Sequence, residues 1–207
     1  MRISKVRTRA VMLALVSVLA LGATACGPNN QQGAVADYTR APNPNAATEI
    51  AKFLDNEIAG LSVLDRAAQE AELNWFATAG APYQGMEIKV VSETIATHEY
   101  ESKVLAPAFT AITGIRITHD LIGEGDVVAK LQTQMQTGEN IYDAYVNDSD
   151  LIGTHWRYQQ ARNLTDWMSG EGAAGTSPTL ELPDFIGASF TTGPDGKLYQ
   201  VPDQRFG

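Results

Sequence analysis

Ile88-Lys89-Val90-Val91, Ile115-Arg116-Ile117-Thr118 and Tyr142-Asp143-Ala144-Tyr145-Val146 are three short runs rich in β-branched and aromatic residues, bounded by turn formers such as Gly85, Gly114 and Gly138. Between them the apolar residues take helical spacing: Tyr100, Val104, Ala108 and Ile112 after the first run, and Val127, Val128, Leu131 and Met135 after the second. Strand, helix, strand, helix, strand is a βαβαβ pattern. Strands that alternate with crossover helices run parallel, and open parallel sheets take small molecules at the loops beyond the strands' carboxyl ends. The residues just after each run are therefore the candidates for this chain's chemistry.

Three polar corners lie there. Ser92, Glu93 and Thr94 follow the first strand; Gly123, Glu124, Gly125 and Asp126 follow the second; Asn147, Asp148 and Ser149 follow the third. Carboxylates and amides so placed accept the hydroxyl hydrogens of a polyol or sugar, and a buried acceptor left unpaired rejects an analogue that lacks the hydroxyl. This gives specificity without catalysis. Asp126 also suits the N-cap of the second crossover helix, and Asp148, Ser149 and Asp150 suit the cap of a third helix running towards Asn163. Tyr199 and Trp156 are candidates for a stacking face against sugar carbons, or for core.

Ahead of this unit, Ala47, Ile50, Leu54, Ile58 and Leu61 share a helix face that ends near Gly60, and Leu64, Ala68, Ala71 and Trp75 continue at the same spacing behind the capping residues Ser62-Val63-Leu64-Asp65. The expectation is a helical hairpin over residues 46–84, with Phe53, Trp75 and Phe76 as core. Pro107 conflicts with the first crossover helix, so a kink or a late helix start is expected there. Residues 167–182 turn to Gly, Ala, Ser, Thr and Pro and read as loop.

The amino terminus has a different character. Arg2, Lys5, Arg7 and Arg9 precede an apolar stretch, Ala10 to Gly22, too short for the roughly 20 residues of a spanning helix. Residues 1–25 read as a secretory signal. Cys26, the single cysteine, excludes a disulfide within one chain, and behind Ala23-Thr24-Ala25 it resembles a lipobox, whose cysteine is acylated and becomes the mature terminus. Ordinary cleavage at the same Ala-x-Ala, leaving a free thiol, is the alternative. Removing residues 1–25 takes away four positive charges and no acidic ones, moving the formal net charge from −9 to −13, which argues against nucleic acid or anionic lipid as partner. With 44% hydrophobic and 19% charged residues the full chain is globular in composition, except for a polar tether over residues 26–45 able to span about 60 Å.

Phe109-Thr110-Ala111-Ile112-Thr113-Gly114-Ile115-Arg116-Ile117 resembles the phrase with which extracellular solute-binding proteins of bacterial ABC importers enter their second strand. Leu131 to Gly138 with Ile141-Tyr142-Asp143-Ala144, then Asn163-Leu164-Thr165-Asp166-Trp167, then Asp195-Gly196-Lys197-Leu198-Tyr199-Gln200-Val201-Pro202, follow in that family's order, the last like its segment entering the hinge. The leading helices resemble the extension of its sugar- and glycerol-type members. The family has two α/β lobes that close on a solute. The resemblance implies that residues 85–207 are a partial first lobe ending at the hinge, with the second lobe missing. It also implies a lipid-anchored receptor outside the cytoplasmic membrane that delivers a neutral polyol or sugar to the membrane-spanning subunits of an ABC permease, without cofactor or catalysis.

Gly123-Glu124-Gly125 follows a strand and opens a helix, but the third glycine of a dinucleotide fingerprint would fall at Val128, and Glu124 with Asp126 would repel phosphate. Gly187-Ala188-Ser189-Phe190-Thr191 misses the nucleophile elbow by its final residue. His98, His119 and His155 each lie near a strand's carboxyl end, so with Glu93 or Asp120 they are the basis of the competing expectation: a zinc site, in either a zinc-capturing receptor or a secreted zinc-dependent hydrolase.

Overall fold

A computed structural model of the protein describes residues 36–146 and 152–203. The chain is α/β. At its centre β1 (Glu87–Glu93), β2 (Arg116–Ile122) and β3 (Ala144–Tyr145) form a parallel sheet in the order β2-β1-β3. β1 and β2 pair from Glu87 opposite Arg116 to Glu93 opposite Ile122. β3 is shorter than the run Tyr142 to Val146. Ala144 and Tyr145 sit opposite Val90 and Val91, and the backbone N–H groups of Asp143 and Val146 extend the ladder to the carbonyls of Lys89 and Val91 at 2.8 and 3.0 Å. Tyr142 drops out because its own N–H donates to Gln134 Oε1 at 2.8 Å, which ties it to the preceding helix instead of the sheet.

Helices cover both sides. On one side, α5 (Glu124–Thr137) lays Val127 and Leu131 against Val91 and Tyr142, with Ile122 and Tyr145 at the edge of the cluster. Alternation along the strand sends the next residue, Ser92, to the other side. There the first crossover runs as α3 (Ala96–Tyr100), a wider π turn (Glu101–Leu105) and α4 (Ala106–Thr113). Pro107 explains that construction. It occupies the first turn of α4, where its missing N–H matters least, and the π turn before it absorbs the interrupted hydrogen-bond ladder. Gly114, at φ +79°, ends α4 with its N–H on the Thr110 carbonyl at 2.8 Å.

The leading helices pack on α4. α1 (Ala46–Phe53), extended by a π turn over Leu54–Ile58, and α2 (Arg66–Gly80) enclose Ala46, Ile50, Leu54 and Ala77 with Ile112 of α4. Asp65 caps α2, accepting from the Ala68 N–H at 2.8 Å. The first helix face is shorter than its spacing suggests: the chain reverses at Ala59 and Gly60, both at positive φ, and leaves Leu61 87% exposed. Phe76 meets Phe109 edge-on at 6.2 Å between centroids, which joins α2 to α4.

Beyond β3, α6 (Ile152–Tyr158) ends well before Asn163, at Gln159, whose φ is +51°. Asn163 instead caps a further helix, α7 (Leu164–Ser169), accepting from the Asp166 N–H at 3.1 Å, so the loop expected from residue 167 begins after Ser169. Trp167 packs beneath Gly172 so closely that a Cβ there would lie 2.2 Å from the indole, which only glycine tolerates. Among the described residues no helix is long and apolar enough to cross a membrane.

Candidate functional site

The strand order decides where a site can form. From β1 the chain crosses to β2 on one side, then returns over β1 to β3 on the other, so the connections part company above the carboxyl ends of β1 and β3. Such a switch point leaves a crevice that no crossover covers. A cavity of about 810 Å³ lies there. One wall is Glu93 at the end of β1, Glu124 and Val127 at the start of α5, and Tyr145 at the end of β3; the other includes Phe190 and Tyr199 from the carboxyl-terminal segment.

Each carboxylate reaches the cavity for a local reason. Glu93 lies on the same side of β1 as Val91, whose side chain is in the α5 cluster. Glu124 is the first residue of α5 and sits one turn from buried Val127, and the partial positive charge of the helix end favours a carboxylate there. Asp126 is not the N-cap: Gly123 holds that position, with the N–H groups of Asp126 and Val127 donating to its carbonyl at 2.9 and 3.0 Å. A cap side chain is dispensable because the tight turn at Gly123 already satisfies these donors.

The neighbours of Glu93 have structural partners. Ser92 is fully buried on the opposite side of the sheet, its Oγ 2.7 Å from His119 Nε2. Thr94 closes the sheet, its N–H and Oγ1–H both donating to the Ile122 carbonyl at 2.9 and 3.1 Å. Neither lines the cavity. Asn147, Asp148 and Ser149 lie outside the described residues, as does Cys26.

Tyr199 is brought in by a turn. Thr192 bridges Leu198 in antiparallel fashion around Pro194-Asp195-Gly196, Leu198 is buried and bonded through its N–H to Thr165 Oγ1 at 2.9 Å, and the next residue faces the cavity. The Tyr199 hydroxyl donates to Asp195 Oδ2 at 2.8 Å, and this bond pushes the phenol pKa up. Trp156 does not line the cavity; its ring packs against Gly193 in this same turn. Tyr145 meets His155 edge-on at 5.3 Å, and burial pushes its pKa to about 12, so both phenols stay neutral. Phe190, 60% exposed, Gln200 and Arg162 also line that wall, although Arg162 is paired with Glu171.

The three histidines do not converge. His119 is held by Ser92, His155 lies against Tyr145 with Gln200 Nε2 at 3.3 Å from its Nδ1, and burial lowers the pKa of both. Among the described residues the one group with metal-ligand proximity is instead His98, Glu101 and Asp203. Glu101, Asp203 and, apart from Tyr199, the residues of the carboxyl-terminal wall were missed as candidates in the sequence. The positive-φ glycines Gly187 and Gly196 signal the turns that bring this wall back, but not its destination.

A solved structure similar to this chain is an ABC transporter solute binding protein from Agrobacterium radiobacter K84, in complex with ribitol. The two are 21% identical with a TM-score of 0.49, over 57% of this chain and 29% of that one. The chain therefore corresponds to under a third of that protein's length. No protein-family profile matches the chain, and no curated protein matches it significantly.

Proposed function

We propose that this chain is the solute-gripping lobe of a lipid-anchored receptor of an ABC importer, taking a neutral polyol or sugar and passing it to the membrane-spanning permease subunits. The observation that carries the reading is the cavity at the switch point, with Glu93 and Glu124 on one wall and Tyr199 on the other. Two carboxylates offer four oxygens to solute hydroxyls, and neutral aromatic faces suit the C–H faces of a sugar or polyol chain. The ordered family phrases in the sequence supply the transport context, and the lipobox-like Cys26 supplies the anchor.

In this reading no bond is made or broken. Glu93 and Glu124 accept hydroxyl hydrogens, Tyr199 stacks, and Asn147, Asp148 and Ser149 add acceptors from the third corner. Closure of a second lobe over the guest follows by population shift, because contacts to both lobes exist only when closed. Domain limits of 1–25 for the signal, 26–45 for the tether, 46–84 for the helical extension and 85–207 for the lobe belong to the same proposal.

Isothermal titration of the full chain against glycerol, longer linear polyols and hexoses tests it. At least one should bind saturably, and Glu93→Gln or Glu124→Gln should weaken that solute about 10- to 100-fold, the value of a hydrogen bond to a charged acceptor. Absence of heat with every solute, or unchanged affinity in both variants, would refute it.

A further inference from the structure

One cluster on the cavity wall is not used by the solute reading. His98, Glu101 and Asp203 each bring one ligand atom to within 4.8 Å of the others. His98 is 1% exposed and its Nδ1 lies 2.9 Å from Glu101 Oε2, three residues on, where the π turn begins. Asp203 comes from the far end of the described chain, and both it and His98 line the cavity.

We propose that these three residues form a divalent-metal site of the zinc class, with its open coordination position facing the cavity. The buried imidazole of His98 and two carboxylates bring three metal-ligating atoms together, and a cation among them offsets the mutual repulsion of the two acids. One nitrogen and two oxygens match a borderline ion such as zinc better than magnesium or calcium, which prefer oxygen alone. The dimensions agree. Bonds of about 2.0–2.2 Å set tetrahedral donors about 3.4 Å apart. The His98–Glu101 pair is already closer than that, and a ligand atom at the outer limit of the 4.8 Å group has to move inward by only about 1.4 Å. Asp203 can make that movement because it is exposed at the rim. The bound ion ties the carboxyl-terminal segment to the first crossover helix, closing one side of the cavity, and offers its free position to a donor atom from whatever occupies that space.

None of these residues is assigned to the solute, so the two readings are tested separately. The full chain, stripped with chelator, is titrated with zinc chloride in the absence of any solute. The expected result is one saturable site, a rise in thermal midpoint on loading, and at least a tenfold loss of affinity in Asp203→Asn and in Glu101→Gln. Asp203 is exposed, so its variant keeps the fold, which far-ultraviolet circular dichroism verifies. Absence of saturable zinc binding overturns the proposal. So does affinity within twofold of the parent in Asp203→Asn, which would place the ion elsewhere, or equal competition by magnesium, which would remove the imidazole from the site.

Discussion

Replacing Ser92 by alanine separates a structural role for this residue from the ligand role its position after a strand suggests. The hydroxyl lies 2.7 Å from His119 Nε2 and is fully buried between the sheet and the first crossover. An intramolecular hydrogen bond is worth about 0.5–1.5 kcal/mol net, but removing one partner strands the other, at about 1–3 kcal/mol. His119 is only half-buried, so some water reaches its ring and the lower part of that range applies: about 1–2 kcal/mol. For a chain of this size, that corresponds to a fall of about 2–8 °C in thermal midpoint.

Urea unfolding monitored by circular dichroism measures the loss directly, and the double variant Ser92→Ala/His119→Leu checks its origin. Removing both polar partners leaves no orphan, so the double variant should lose less than the sum of the single losses. Solute affinity should be unchanged, because Ser92 lies on the side of the sheet away from Glu93. A Ser92→Ala variant of parental stability, or one of parental stability with weakened solute binding, would refute this placement.

Three further perturbations probe the frame around the cavity. Gly114→Ala should cost at least about 1–2 kcal/mol in urea unfolding, because the residue sits at φ +79° and the new Cβ would come 2.9 Å from Gln84 Cγ. Leu131→Ala should cost about 2–5 kcal/mol by the same measurement, since Leu131 is 2% exposed in the cluster that seats α5 on the sheet, and an unaltered stability would mean that α5 is misplaced. Burial lowers the imidazole pKa of both His119 and His155 from 6.5, so the unfolded chain binds their protons more readily than the folded one. Their stabilisation is therefore complete above about pH 6.5 and declines as pH falls towards the folded-state values, by at most about 1.4 kcal/mol per pH unit for each group. Urea midpoints that rose between pH 7.5 and 5.5 would contradict that sign.

The parallel βαβαβ core was legible because period and punctuation agree in one stretch. Gly114 and Gly138 each mark a real helix end in left-handed conformation, and the runs behind Gly85 and Gly114 join one parallel ladder that begins at Glu87 opposite Arg116. The discrepancies arise where a distant contact competes with a local signal. Tyr142 has strand-forming character, yet Gln134 captures its backbone and β3 is shortened. Asp126 has cap-forming character, yet the backbone of Gly123 needs no side chain. Leu61 continues the first helix's spacing, yet the reversal at Ala59 and Gly60 turns it to solvent. Pro107 shows the opposite case, a local conflict with a local solution, and the sequence points to the right residue although not to the π turn that accommodates it.

The cavity was legible on one wall only, and the reason is geometric. A residue at the end of a strand is placed by the strand's period and by the parallel order, both of which are properties of nearby sequence; this locates Glu93 and Glu124. It does not distinguish Glu93 from Ser92, because which of two consecutive residues faces the crevice depends on which side α5 covers, and that is set by the β2-β1-β3 order. Most of the opposite wall returns from residues 186–203, more than 40 residues beyond β3 and held by contacts such as Leu198 to Thr165 that no local period encodes. Tyr199 was found through the chemistry of its side chain, whereas Phe190, Gln200 and Asp203 have nothing in their neighbourhood to mark them. His98 was marked for the wrong company. Its nearness to the end of β1 is a sequence property, but its partners follow from Glu101 standing one turn along the helix and from Asp203 folding back across the strand ends, and these leave His119 and His155 to other tasks.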